Sequence, residues 1–472
     1  MPGPGNVGER VRNLRLTRRL SQAQLAGHDL SDSYISLIES GKRTPTPTVL
    51  RMLAERLGCT PEYLAEGVEP EQRTHLEVRE RHAHLALLGG DPATAEAGFD
   101  EVLARSDDPE LTARARWGRA RALEELGRTE SAIGLFEELR EQAERDPGRT
   151  CWLPPVIALS RCYHAVGDLG QAIALGERAL ERLRGIGLTV GREYIEVGRV
   201  LLLAYVDRSD PVRAHELGRR LLHTERPARD EPESVHYQRA SHRALDEGVI
   251  GDALYFADQA LAARPDAPAE RARARLRLAA AKALLRGVPP FSAPAGFETP
   301  GRTEGTAEAA REALGLLRET SVLDGDEATE STIARARALV LTGELNEAVG
   351  ALEEFIDTGM ALTAPASAAR PQPGTDLVAR TQKSVLARLV LARARVGQDD
   401  PAAAAVVLGA AAAQLETLPP GRPAAQLLRE LGGLFELVHD REKATIAYRR
   451  ALEAAGLRAS RPLEASCDLG RV

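Results

Sequence analysis

The apolar positions of residues 20–43, "LSQAQLAGHDLSDSYISLIESGKR", fall into two short runs, Ala23, Leu25 and Ala26 followed by Ile35 and Ile38. Each run is preceded by a serine, Ser21 or Ser31, and a serine there accepts a hydrogen bond from a free N–H of a helix's first turn. The segment predicts helix, tight turn, helix. Around the short helices at 21–27 and 31–40, the pattern predicts a helix over 7–19 before them and helices over 47–57 and 60–66 after them, the last opened by Thr60–Pro61. Five helices in so short a stretch predict a small closed bundle.

Past "EGVEPEQRT" at 66–74 the pattern changes. A glycine, four residues and an alanine recur between two helical runs, as Gly90/Ala95, Gly127/Ala132, Gly167/Ala172, Gly248/Ala253, Gly343/Ala348 and Gly397/Ala402. Weaker copies keep the alanine, at Ala214 and Ala444. Small residues stand twelve positions before each alanine, as Ala83, Ala120, Ser160, Ser241, Ala336 and Gly432, while Phe99, Phe136 and Tyr448 stand four after it. The glycine would end one helix, and the small residues would let that helix pack closely on the next. These features, as in "ALEELGRTESAIGLFEEL", resemble tetratricopeptide repeats. The resemblance implies eight or nine two-helix units stacked as an α-solenoid. The expected division is a bundle at 1–69, a linker at 70–75, repeats at 76–457 with Pro-rich surface loops inserted at 287–305 and 363–376, and a flexible tail at 458–472.

Composition supports an all-α chain, since aromatics are 4% of 472 residues and Ala, Leu, Arg and Glu dominate. The net charge of −7 argues against nucleic acid along the whole length. The front differs: residues 1–69 carry nine Lys/Arg against eight Asp/Glu, with Arg10, Arg12, Arg15, Arg18 and Arg19 on one helix and Lys42–Arg43 after the third. Four scattered cysteines, Cys59, Cys151, Cys162 and Cys467, suit reduced thiols. Neither a signal peptide nor a membrane-spanning run is present, so the expectation is a cytoplasmic protein with no membrane partner.

"LRLTRRLSQAQLA" followed by "SDSYISLIESGKRTP" resembles the Cro/repressor or XRE-type helix-turn-helix family over residues 7–67. The resemblance implies a five-helix, lambda-repressor-like DNA-binding domain. It assigns Gln22, at the start of the second helix, to a phosphate, and Ser31, Asp32, Ser33, Ser36 and Leu37 of the third helix to base edges. Arg18, Arg19, Lys42 and Arg43 would hold the phosphate backbone, and Arg15–Glu39 would be an internal ion pair. Two departures stand out. The turn "AGHDLSD" is one residue shorter than the family's commonest form and lacks its usual glycine, and the third helix has no Lys, Arg, Gln or Asn, the best bidentate readers of guanine and adenine.

No catalytic or metal constellation is present. "HELGR" at 215–219 has Arg219 where a zinc-protease helix needs a second histidine, and neither a phosphate-binding glycine loop nor "G-x-S-x-G" occurs. No cofactor is expected. Repeat register places Trp117, Arg121, Arg161, His164, Arg199, Gln238 and His242 along the concave groove, where several arginines would suit a peptide with acidic groups or a free carboxylate. The combined architecture resembles bacterial quorum-sensing repeat regulators. It implies a homodimeric transcriptional regulator that binds double-stranded DNA and senses a peptide or small ligand; the alternative is an interaction scaffold whose helix-turn-helix no longer reads DNA.

Overall fold

Both serines of the opening segment cap helices in the computed structural model, which describes residues 7–66, 70–106, 108–224, 233–262, 267–292, 306–362 and 375–457. Ser21 Oγ accepts from the Gln24 N–H at 3.0 Å while Gln24 Oε1 accepts from the Ser21 N–H at 2.7 Å, a reciprocal cap that starts a helix of only five residues. Ser31 Oγ accepts from the Tyr34 N–H at 3.2 Å. The bundle is α1 (Val7–Thr17), α2 (Gln22–Ala26), α3 (Asp32–Glu39), α4 (Pro47–Leu57) and α5 (Pro61–Glu66). Its core is Val11, Leu25, Ala26, Ile35, Ile38, Leu53, Ala54, Leu57 and Leu64, all 1% exposed or less. α1 crosses α3 at Gly8, where any Cβ would lie 2.0 Å from the Ile38 carbonyl oxygen. Only glycine permits that crossing.

Eighteen further helices complete an all-α chain, with no strand among the described residues. They are α6 (Pro70–Leu88), α7 (Pro92–Arg105), α8 (Pro109–Glu125), α9 (Thr129–Arg145), α10 (Leu153–Val166), α11 (Leu169–Gly185), α12 (Arg192–Asp207), α13 (Pro211–Thr224), α14 (Glu233–Asp246), α15 (Ile250–Ala262), α16 (Ala267–Leu285), α17 (Ala307–Leu317), α18 (Gly325–Thr342), α19 (Leu345–Leu362), α20 (Thr375–Gly397), α21 (Pro401–Leu415), α22 (Arg422–Leu437) and α23 (Arg441–Ala454). Residues 70–75, expected as a linker, form the first turns of α6, because Pro70 sits where a helix needs no N–H. The chain divides into two compact units, Met1–Leu139 and Arg140–Val472.

Neighbouring helices pair as hairpins, and the first helix of each hairpin packs on the first of the next: α6 on α8, α10 on α12, α16 on α18, α18 on α20 and α20 on α22. That is tetratricopeptide-like stacking. The recurring glycines Gly90, Gly127, Gly167, Gly248 and Gly343 have φ between 72° and 89°, and the alanine five places on is buried each time. Where the glycine is missing, Ser209, His439 and Asp399 take the left-handed conformation, at φ 62°, 62° and 58°, ahead of Ala214, Ala444 and Ala404. The pair Gly397/Ala402 is therefore out of register by two. α20 runs through Gly397, Ala402 is exposed, and Asp399/Ala404 hold the turn and the packing position. The small upstream residues serve close packing: Ser160 Oγ donates to the Ala172 carbonyl at 3.2 Å, and Ser241 Oγ to the Ala253 carbonyl at 2.7 Å.

One hairpin leaves the line. α12 packs directly on α16, and α14–α15 is held against residues before it instead. Tyr237 and Tyr255 both donate to the buried Glu193 carboxylate, the latter at 3.0 Å. Arg182, stacked 4.2 Å from the Trp152 ring centroid, donates to buried Asp252 at 3.0 Å, and the Gly251 N–H reaches the Pro147 carbonyl at 2.9 Å. The first insertion also departs from expectation. Val288 and Phe291 are 3% and 5% exposed, and Phe291 stacks on His215 of α13, whose Nδ1 meets the Pro289 carbonyl at 3.3 Å. Residues 287–291 are thus a buried strap rather than a surface loop, because their apolar side chains have a helix to cover. Residues 293–305, 363–374 and the tail 458–472 lie outside the described residues.

Candidate nucleic-acid interface and repeat groove

Three helices of the bundle meet at one buried carboxylate. Arg15 Nε donates to Glu39 Oε1 at 2.6 Å and Nη2 to Oε2 at 3.0 Å, Gln22 Nε2 donates to the same Oε2 at 2.9 Å, and Arg15 Nη1 takes the Leu20 carbonyl at 2.9 Å. Burial works against the Glu39 charge, but the hydrogen bonds from Arg15 and Gln22 prevail and hold its carboxyl below the usual range. The bond to Glu39 likewise raises Arg15. With Ile35, Ile38 and Glu39 buried, α3 turns Ser31, Asp32, Ser33, Ser36 and Leu37 outward. Arg19, Lys42 and Arg43 are exposed as well, and the Arg43 guanidinium lies 5.1 Å from the Tyr34 ring centroid.

Other arginines close helix ends. Arg10 donates to the Leu64 carbonyl at 3.1 Å and the Ala65 carbonyl at 2.7 Å, and Arg18 donates to the Gly58 carbonyl at 3.0 Å. Arg56 donates to the Leu25 carbonyl at 2.9 Å, to the Ala26 carbonyl and to the Asp29 carboxylate. Each meets carbonyls at the C-terminal end of a helix, where the ladder of backbone N–H donors runs out.

In the second unit, the groove-side helices are bridged by alternating charges. Arg199 of α12 pairs with Glu196 at 2.7 Å, Arg161 of α10 stands 3.8 Å from the same oxygen, and Arg275 of α16 lies 2.6 Å from Glu327 of α18. Burial disfavours the Glu196 charge, yet Arg199, Arg161 and Arg275 together hold its carboxyl down to about 2. At the C-terminal end of α12, Asp207 receives His164 Nε2 at 3.0 Å, Arg286 at 2.5 Å and Arg422 at 3.3 Å, so α10, α12, the end of α16 and the start of α22 share one carboxylate. Its own burial opposes the charge; His164, Arg286 and Arg422 still keep it ionised below the ordinary range. Further along, Lys383 pairs with Asp326 at 2.9 Å, and Arg337 with Glu430 at 3.2 Å beside a small cleft floored by Leu285, Val340 and Val390.

Residues 11–64 match the family profile described as helix-turn-helix. The N-terminal bundle is a helix-turn-helix domain. Among solved structures, the chain is similar to the apo form of the quorum sensor NprR from B. thuringiensis, at 12% identity over 95% of this chain and 99% of that one, with a TM-score of 0.44. It is also similar to Bacillus thuringiensis PlcR in complex with the peptide PapR7 and DNA, at 18% identity over 55% and 95% of the two chains and a TM-score of 0.27. A Rap protein complexed with Competence and Sporulation Factor aligns at 13% identity over 81% of this chain and 97% of that one, with a TM-score of 0.30. These likenesses are too loose to carry partners or activity across. No curated protein matches the chain.

Within the helix-turn-helix domain, the structure sorts the residues that sequence assigned to DNA into two sets. Ser31, Asp32, Ser33, Ser36, Leu37, Arg19, Lys42 and Arg43 lie on exposed surface; the Gln22 amide is turned onto Glu39, and Arg18, though exposed, has its guanidinium on the Gly58 carbonyl. Of the groove residues, Arg161, His164 and Arg199 come together. Trp117, whose ring meets Phe136 edge-on at 5.4 Å, and Arg121, 3.4 Å from Glu124 and Glu125 of its own helix, lie on α8 in the first unit. Gln238 and His242 are exposed on α14, in the hairpin that leaves the line. Sequence spacing had no means of finding Asp207, Arg286 and Arg422, which are brought together across more than 200 residues. Among the described residues no cluster could hold a metal ion, and no helix is long and apolar enough to cross a membrane.

Proposed function

We propose that the chain is a transcriptional regulator: the helix-turn-helix domain reads duplex DNA with α3, and the second unit dimerises and receives a peptide or other small anionic signal in its groove. The observation that carries the DNA reading is the outward face of α3, where Ser31, Asp32, Ser33, Ser36 and Leu37 are exposed while Arg15, Gln22 and Glu39 fix the helix from behind. Such a face fits a major groove. Lys42, Arg43 and Arg19 supply phosphate contacts beside it. With no bidentate reader on α3, affinity depends on those charges and on a second copy engaging a second half-site.

A gel-shift titration of random duplex at two salt concentrations tests this. The full chain binds with a steep salt slope, and Lys42→Ala with Arg43→Ala lowers that slope by about 1 to 2 units with no change in preferred sequence. No binding at low salt would favour the scaffold reading, to which the Gln22 amide, turned onto Glu39, lends weight. For the groove, Arg161 and Arg199 on adjacent helices support a ligand with a carboxylate. DNA and such a ligand, titrated reciprocally, change each other's affinity by the same factor if the groove is a sensor.

A further inference from the structure

The chain passes from α2 to the cap of α3 in four residues, Gly27 to Leu30, and both ends of that turn are tied to one side chain on another helix. Arg56, in the last turn of α4, donates from Nη1 to the Leu25 carbonyl at 2.9 Å and to the Ala26 carbonyl, and from Nη2 to the Asp29 carboxylate. The first two acceptors are carbonyls at the end of α2, and the Ala26 carbonyl also accepts the Leu30 N–H at 3.3 Å. The third is two residues before the Ser31 cap. Gly27 makes room for the guanidinium: its φ is 61° and ψ −141°, and a Cβ there would stand 2.8 to 2.9 Å from the Arg56 head group. A five-residue helix has too few internal bonds to hold its own direction.

We propose that Arg56 is a positioning residue for base readout, setting the angle of α3 to α2 by clamping the turn between them. It touches no exposed face of α3 and acts only through Asp29 and the α2 carbonyls. Lysine at this place has one nitrogen and no fork, so it cannot hold the carbonyls and Asp29 together in the same geometry. The clamp is distinct from the Arg15–Glu39 pair, which fixes α3 to α1 at the other end of the helix.

This inference rests on the DNA reading proposed above, and the experiment separates the two. Selection from a randomised duplex pool with the full chain defines the preferred sequence, and affinities for that duplex and for random duplex give a preference ratio. Asp29→Ala releases the turn but leaves the α2 carbonyls capped, Arg56→Lys keeps one donor that cannot serve both at once, and Arg56→Ala releases both. The expected result is a preference ratio lowered about tenfold in Arg56→Ala, with Arg56→Lys and Asp29→Ala between it and the parent. The salt slope stays unchanged in all three, since no phosphate contact is lost. A loss of fold alone would lower affinity for every duplex equally. If Arg56→Ala fails to fold, Asp29→Ala, altering a carboxylate 57% exposed, decides the question. A parent chain without preference among duplexes overturns the DNA reading. A parent with preference, matched by folded Asp29→Ala and Arg56→Lys with unchanged ratios, overturns the role of Arg56.

Discussion

Arginine does different work in the two regions. In the helix-turn-helix domain Arg10, Arg18 and Arg56 close helix ends on backbone carbonyls, and two carboxylates join in: Asp29, exposed and held by Arg56, and Glu39, buried and held by Arg15. In the second unit Arg161, Arg275, Arg286, Arg337 and Arg422 meet carboxylates on neighbouring helices, and Arg199 shares Glu196 with Arg161. The first arrangement shapes a small closed object, and no acid or base changes a carbonyl. The second joins one repeat to the next through groups that titrate and that an anionic ligand could rearrange. A small closed bundle and a repeat array in which each unit packs only on its neighbours call for these two uses.

The sharpest way to break the contrast is at the buried exception, Glu39. Its replacement by alanine leaves Arg15 buried without a partner, and the domain should lose about 3–5 kcal/mol in denaturant unfolding followed at the first unit. A loss below about 1 kcal/mol would mean that Arg15 finds the Leu20 carbonyl and water sufficient. Because the Glu39 carboxyl sits below its usual range in the folded state, the stabilisation is present above the ordinary glutamate pKa and disappears as pH falls through the lower folded value.

Glu196 should come next. A carboxyl held to about 2 against an ordinary value near 4.3 contributes about 3 kcal/mol at neutral pH, present above the unfolded pKa and lost as pH falls toward 2. Unfolding of Glu196→Gln measured against pH should therefore differ most from the parent at neutral pH, and the difference should shrink below pH about 4. A pH-independent difference would make the cluster a packing feature rather than an ionic one.

A smaller effect is expected in the out-of-line hairpin. Tyr237→Phe removes one of two hydroxyls on Glu193 and should cost about 1–2 kcal/mol, read as faster amide exchange confined to α14 and α15. Exchange spread evenly over the second unit would instead mean that the hairpin is not a separate element. The smallest effect belongs to Arg335–Glu347, an ion pair with side chains 62% and 53% exposed. Glu347→Gln should change stability by less than about 0.5 kcal/mol, marking exposed pairs as bystanders in the ladder.

What the chain by itself determined is local. Ser21 and Ser31 cap their helices because caps depend on neighbours a few residues away, the five short helices end where turns and prolines end them, and the Gly-to-Ala spacing is legible because each hairpin needs a left-handed residue and a small contact. Even the misplaced Gly397/Ala402 pair is local in origin, since Asp399 takes a conformation that sequence assigns by default to glycine. Tertiary structure decided the rest. Whether an arginine faces DNA or a carbonyl turns on which helix end it meets: Arg18 and Arg19 are adjacent, yet only one reaches Gly58. The buried strap at 287–291 depends on α13 offering His215 and Gly218 to Phe291. The departure of α14–α15 depends on Glu193 and Asp252 finding partners far along the chain, as does the shared carboxylate of Asp207. Such pairings are fixed by where packed helices bring charges in three dimensions, and a periodic pattern along one dimension carries no record of that distance.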